Sequence, residues 1–564
     1  MGRLAFGITA LAFACPLGAQ TVAPSQVTPE TLRPVAPLEE VRPILPSPEH
    51  QAVSGARLSV RMARVRIEGA FAGMADANAA LKAAIENKRL TVAQIFAAAR
   101  RLEEAYAEDG YTLARVTVPP QALTDNGTLR VVVIDGFIEA VDVEGVPERV
   151  RDLVLARTAA IAGRRHIVQA DIERALLIAG DTAGLRLKST LARGTQEGGT
   201  LLILEGRHQL VTGALGVNNT MPSSLGNWSR VASASLNSPF GYGEQFYVSG
   251  ALGGAFGEMP DMTSPMRLFG TGLALPIGTD GWIINPEYTR SLTKPYTGAD
   301  EIAEAGNFER VTVRASYPLI RGRARMLLVD GAVEHIYQIM EAPDFDTELS
   351  KDRYTALRAG GVLEDSLPWG AGVRLAAHLS HGLGGRGIAE AAASNIPLSR
   401  QEAEPVFTKA NAEARFTQPL WQAFRLEVLG RAQSSFGEAL LRPEQFALDG
   451  SDAVTARPDY PFIVDEGASL RAELSRVFPV QAGMGLVALA PYGFGAAGWG
   501  RLDAPTLLEI ETLRLAALGI GVRATGETAS GETGATFALE VARLISNDLD
   551  AAGWRVQFNS GVRF

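Results

Sequence analysis

Gly382-x-Gly384-x-x-Gly387 has the form of a dinucleotide loop. Glycines at that spacing let a backbone approach a pyrophosphate, but only where a strand enters the loop and a helix leaves it. No βαβ unit surrounds them here, and glycine-rich barrel loops produce such strings freely, so they read as loop glycines. His378 and His381 could supply two metal ligands. Three residues apart on an extended chain they leave opposite faces, so one ion cannot bridge them. The sequence holds no Gly-x-Ser-x-Gly, no His-Glu-x-x-His and no phosphate loop with its lysine. Its carboxylates are scattered, and no acid–base pair stands out. No catalytic residue, cofactor or metal site is expected. The net charge of −9 argues against a nucleic-acid surface.

The ionisable residues instead alternate with apolar ones. Val311, Val313, Ala315 and Tyr317 oppose Thr312, Arg314 and Ser316; Val373, Leu375, Ala377 and Leu379 oppose Arg374 and His378. Leu426, Val428 and Ala432 oppose Arg425, Glu427, Arg431 and Gln433, with Leu429 out of place on the charged side. Leu470, Ala472 and Leu474 oppose Arg471 and Glu473. The chain ends the same way, with Trp554, Val556, Phe558, Val562 and Phe564 against Arg555, Gln557, Asn559 and Arg563. Period two marks strands. Charges of both signs on one face of many strands do not suit a dry core. They suit a barrel wall that is apolar towards lipid and polar towards a wet lumen.

A chain of 564 residues should hold more than one domain. Residues 1–20, with Arg3 and an apolar run from Leu4 to Cys15, read as a secretory signal peptide. That run is too short to span a bilayer as a helix, and no later run reaches eighteen apolar residues. Cys15 is the single cysteine, so the mature chain should have no disulfide. Residues 21–59, with seven prolines from Pro24 to Pro48, read as an extended linker. Residues 60–136 and 137–207 each read as β-α-α-β-β, a tandem repeat of small α+β domains. In the first, Thr91-x-x-Gln94 is a capping box, and Ile95, Phe96, Leu102 and Tyr106 read as the core face of the helix it opens. Residues 208–564 are left for an all-β transmembrane barrel of about sixteen strands.

Signal, linker, tandem units and barrel together resemble the outer-membrane transporters of two-partner secretion, the haemolysin-activator type, whose small units are POTRA domains. The residues carrying the likeness are Asn237-Ser238-Pro239-Phe240-Gly241 with Glu244-Gln245, Tyr317-Pro318-Leu319-Ile320-Arg321, Pro443-Glu444-Gln445-Phe446, Leu518-Gly519-Ile520-Gly521-Val522-Arg523 and the terminal Phe564. The family's sixth loop carries Val-Arg-Gly-aromatic, and its arginine reaches an aspartate in a wall segment Phe-x-Asp-x-Gly. Here the loop reads Val454-Thr455-Ala456-Arg457 and the wall reads Phe494-Gly495-Ala496-Ala497-Gly498. Both partners are absent from their places, which strands no charge. The loop is therefore expected to be held otherwise, by Arg457 with Asp459 or another acid.

The resemblance implies a pore in the outer membrane, with POTRA domains in the periplasm and a large, secreted, β-rich protein as unfolded client. The barrel is expected to be a monomer facing outer-membrane lipid. Client capture is expected at a sheet edge by strand addition, the favoured edge being Tyr111–Val118 with Tyr111, Arg115 and Thr117. The alternatives are a factor that inserts barrel proteins into the outer membrane, and a passive porin.

Overall fold

The computed structural model describes residues 58–258, 261–296, 303–400, 402–450, 452–455, 462–482, 485–506, 509–528, 533–546 and 553–564. The expected signal, and the expected linker up to residue 57, lie outside them.

The first unit runs β1 (Ser59–Arg61), β2 (Arg64–Glu68), α1 (Ala75–Ile85), β3 (Arg89–Thr91), α2 (Val92–Glu108), β4 (Arg115–Thr117) and β5 (Thr128–Ile134). Thr91 caps α2 as the sequence predicts: its hydroxyl accepts from the Gln94 amide, and the Gln94 side chain accepts from the Thr91 amide. Ile95, Ala99, Leu102 and Tyr106 are the buried face of α2, with Phe96 only half-buried. The sheet order is β2-β5-β4, with β2 parallel and β4 antiparallel to β5. The second unit runs β6 (Phe137–Gly145), α3 (Glu148–Thr158), α4 (Gln169–Gly180), β7 (Leu185–Arg193) and β8 (Gly199–His208). Its sheet order β6-β8-β7 has one parallel and one antiparallel pairing, the same plan repeated.

The barrel opens with β9 (Val211–Asn218), β10 (Trp228–Asn237), β11 (Gln245–Gly254), β12 (Met266–Ile277), β13 (Trp282–Thr293) and β14 (Ala305–Arg321). It continues through β15 (Arg325–Ala342), β16 (Thr347–Ser366), β17 (Gly372–Gly385), the short helix α5 (Ile388–Ser394), β18 (Thr408–Pro419) and β19 (Phe424–Ser434). A two-stranded ribbon of β20 (Phe446–Ala447) and β21 (Ile463–Val464) interrupts the wall. Then come β22 (Glu466–Arg476), β23 (Phe478–Ala482), β24 (Gly485–Arg501), β25 (Thr512–Glu527), β26 (Gly534–Ser546) and β27 (Gly553–Arg563). Because β22 and β23 lie end to end along β24, the closed antiparallel barrel has sixteen staves, as expected. The terminal strand closes it, β27 pairing with β9 from Asn559↔Asn218 to Arg563↔Ala214.

Leu215, Val248, Phe269, Val313, Val333, Leu379, Leu470 and Leu518 are exposed outward, while Arg471, Glu473, Glu334 and Gln433 are buried inward. Periodicity therefore assigns the two faces correctly, and Leu429 does point inward, where it is buried. Strand lengths differ from the sequence expectation. Val311–Tyr317 is the middle of a strand of 17 residues, and β15 and β16 reach 18 and 20. Beyond the apolar band, outward positions need not be apolar, so Asn307 and Glu309 break the alternation while the ladder continues.

The second unit is bolted to the barrel's near rim. Arg174 of α4 donates to the Pro318 carbonyl at 2.9 Å, to Asp280 at 3.0 Å and to the Tyr317 hydroxyl at 3.0 Å. Arg321 forks onto Asp181 at 2.6 and 2.9 Å. The Tyr317 hydroxyl and Arg174 hold the Asp280 carboxyl, in the turn after β12, below its usual range. Its folded value is the lower one, so its contribution is complete above the ordinary carboxylate pKa of about 4 and lost as pH falls through the folded value. Limited proteolysis between β8 and β9 should be unchanged from pH 7 to 5 and rise only below about pH 4. Asp280→Asn should remove that acid dependence.

Candidate functional site

The connection between β19 and β22 is the sixth on the side of the barrel away from the two small units. It turns into the lumen. Phe446, Leu448, Val454, Phe462 and Val464 pack on Tyr492, Phe494, Ala496, Leu515 and Ala517 of the wall. Leu440 and Leu441 pack on Phe308, Ile336 and Tyr354, and on Leu398 and Phe407 of the connection that carries α5. The wet lumen that the charge pattern predicts is thus filled in part by a dry, folded loop. Glycines on the wall make room for it. A Cβ on Gly498 would come within 3.2 Å of Val454, and one on Gly500 within 2.6 Å of Val464.

At its tip the loop is held by a wall arginine. Thr455, 1 % exposed, donates its hydroxyl proton to Glu540 at 2.5 Å and accepts from Arg471 at 3.1 Å. Arg471 also donates to Glu540 at 2.6 Å, and its guanidinium lies 3.5 Å from the centre of the Phe494 ring. Tyr492 donates to Glu540 at 2.9 Å, and Arg523 to Glu473 at 2.7 Å. In the β22–β24 ladder Arg471 is the direct partner of Ala496. An arginine therefore does stand beside the wall position that lacks its acid. It arrives from the neighbouring strand, and the loop supplies a neutral hydroxyl where the family pattern has its arginine. Every charge keeps a partner, the condition for burying ions at tolerable cost. Ala456, Arg457 and Asp459 lie outside the described residues, and so does the pairing expected of the last two.

Two further knots hold the loop's base. Glu444, 1 % exposed, accepts from Arg358 at 2.7 Å and Tyr354 at 2.8 Å and faces Lys409 at 2.8 Å. Asp465, fully buried, accepts from Arg400 at 2.5 Å, from Gln445 and from the Leu440 and Asp503 amides. Arg400 also reaches the Asp503 carbonyl, so one guanidinium ties three surface connections together. Sequence reading placed Arg471 and Glu473 inside the lumen but did not connect them to the loop, and it passed over Glu540 and Asp465. The signal lies in strand register, which the sequence does not print.

Arg115 and Thr117 lie on β4, an edge of its sheet. The predicted strand is shorter than expected, because Tyr111 to Ala114 form a turn, with the Ala114 amide bonded back to the Tyr111 carbonyl. Tyr111 packs edge-on against Phe71 at 5.0 Å, within the core of the unit. Between Arg115 and Thr117, the Val116 amide donates to the Glu103 carboxylate at 2.8 Å. His378 faces Asp330 at 3.2 Å and His381 faces Thr408 at 3.0 Å, so the two do separate.

Residues 60–136 match the POTRA domain of ShlB type, and residues 198–524 match the haemolysin secretion/activation protein family ShlB/FhaC/HecB. This chain belongs to that family. It is 23% identical over 475 residues to the outer membrane transporter CdiB of Escherichia coli, covering 80% of this chain and 75% of the relative. The solved structure of CdiB from Escherichia coli superposes with a TM-score of 0.70 at 20% identity, over 93% of this chain and 94% of that one. That of CdiB from Acinetobacter baumannii gives 0.61 at 16% identity, over 94% of each. Membership makes the chain an outer-membrane transporter of two-partner secretion, with its POTRA domain in the periplasm, that carries a partner protein across the membrane. The assembly-factor and porin readings are not favoured.

Proposed function

We propose that the two small units take hold of an unfolded, β-rich client in the periplasm and pass it to a monomeric barrel, which releases it at the cell surface without catalysing a chemical step. In this reading the sixth loop is the gate, and Thr455, Arg471 and Glu540 are its latch. The observation that carries it is the buried ion network that holds the loop across the lumen at both tip and base. At β4 a client strand would have to displace Glu103 from the Val116 amide before pairing beside Arg115 and Thr117. The longer edge of β7, with Leu185, Leu187 and Leu191 turned to the core and Lys188 and Thr190 outward, offers more backbone to a client. The outward apolar face of the barrel meets outer-membrane lipid.

Deleting the gene and comparing the medium and the outer membrane tests this. Loss of one large exported protein is the expected result. A general loss of barrel proteins from the outer membrane, or no change in either fraction, would overturn it.

A further inference from the structure

One wall of the lumen differs from the rest. Among the described residues, no inward-facing position of β9 to β12 carries a charge. Thr212, Ala214, Gly216, Ser233, Ser235 and Ser249 are typical, and one row across the wall reads Ala214–Ser233–Ser249–Gly270. From β13 onward the lumen is studded with ion pairs: Arg310 with Glu287, Arg358 with Glu334, Arg374 with Glu413 and Arg415 with Glu427. The sixth loop lies against that charged half. Among the described residues its apolar contacts are with β14 to β16 and β24 to β26, and none of those partners comes from β9 to β12.

The plain wall also has defined ends. At the inner end β8, the central strand of the second unit, runs into β9 through Gln209 and Leu210. Asn237 donates to the Gln209 carbonyl at 3.0 Å, and Ser238 to the Ala183 carbonyl at 3.1 Å, so the wall starts directly above that unit. At the outer end Met221 and Leu225 of the first connection fold in over Ala251, Met266 and Leu268. That closure is apolar and can part without separating a charge pair.

We propose that the client's extended chain travels along the β9–β12 wall and leaves past Met221 and Leu225. The proposal rests on the transporter reading. Passage through a pore needs binding weak enough to be left again at every step. Fixed arginines and glutamates would hold the charged side chains of a passing polypeptide and exchange partners with it. Tyr247, the bulky exception, has its hydroxyl committed to Glu287 at 2.9 Å; the row Ala214–Ser233–Ser249–Gly270 has nothing comparable to exchange, and its short side chains leave room for the client's own.

The test uses the full chain in its own cell. Gene deletion first identifies the exported protein that disappears from the medium, and variants are then returned to the deletion strain. Ser233→Trp should lower that protein roughly tenfold or more, by blocking the path, whereas Ala376→Trp, inward on β17 in the charged half, should leave it within about twofold. Ser233→Thr should secrete normally. Heat-dependent gel mobility reports whether each barrel is folded, and Ser235→Lys replaces Ser233→Trp if the latter is not. Normal secretion by the folded Ser233→Trp or Ser235→Lys chain, or an equal fall with Ala376→Trp, overturns the proposed path alone. If deletion removes no protein from the medium, the transporter reading fails and takes the path with it.

Discussion

Arg471→Ala should convert a quiet barrel into a leaky one: in planar bilayers the purified chain should show a several-fold rise in resting conductance. The substitution strands two carboxylates unequally. Glu473 keeps Arg523, whereas Glu540 keeps, among the described residues, the hydroxyls of Thr455 and Tyr492. Removing one partner of a buried ion pair costs about 3–5 kcal/mol, because the other charge is left desolvated. Repulsion between the remaining acids and loss of the guanidinium stacked on Phe494 act in the same direction. Arg471→Lys should rescue poorly, since one ammonium cannot reproduce the planar fork that serves Thr455, Glu473 and Glu540 together. Replacing Arg471 with Met and Glu540 with Leu at once should be milder than Arg471→Ala, because no charge is left alone. A double variant as leaky as the single one would show that the latch works by shape and not by charge.

The second large effect is expected at the base. Glu444→Ala removes the carboxylate facing Lys409 and half of the charge around Arg358, which retains Glu334 at 2.7 Å. Among the described residues, Lys409 would keep the Glu444 carbonyl and the Gln433 side-chain oxygen. At about 3–5 kcal/mol for an uncompensated buried charge, the loop's folded position should no longer dominate. Proteinase K added to intact cells should then cut within residues 435–450 faster than it cuts the wild-type chain there. Glu444→Gln keeps an acceptor for Tyr354 and should be cut more slowly than Glu444→Ala. Resistance of both variants would mean that the apolar packing of Leu440, Leu441 and Phe446 holds the loop unaided.

Both variants act on a part of the molecule that the sequence describes poorly. Alternation assigned the faces of β14, β17, β19, β22 and β27, because side chains on a strand must leave opposite sides and lipid tolerates few charges on its own side. It lost the strand ends, where the wall rises beyond the apolar band. Turn and capping signals placed the helices of both small units to within a few residues, since those bonds are local. Tyr111 was misjudged because a turn and a short edge strand share the same few residues.

The sequence by itself determined that this chain holds two small mixed domains and a membrane barrel, and that neither an arginine in Val454-Thr455-Ala456 nor an acid in Phe494-Gly495-Ala496-Ala497-Gly498 is present to form the pair the resemblance implies. Each of these is written in residue order or in a period of two. Only the tertiary structure decided what replaced the missing pair. Arg471 meets Thr455 and Glu540 across 16 and 69 residues of chain because strand register and loop entry bring them together. The uncharged wall became visible in the same way, for an inward row runs across neighbouring strands and no stretch of sequence contains it.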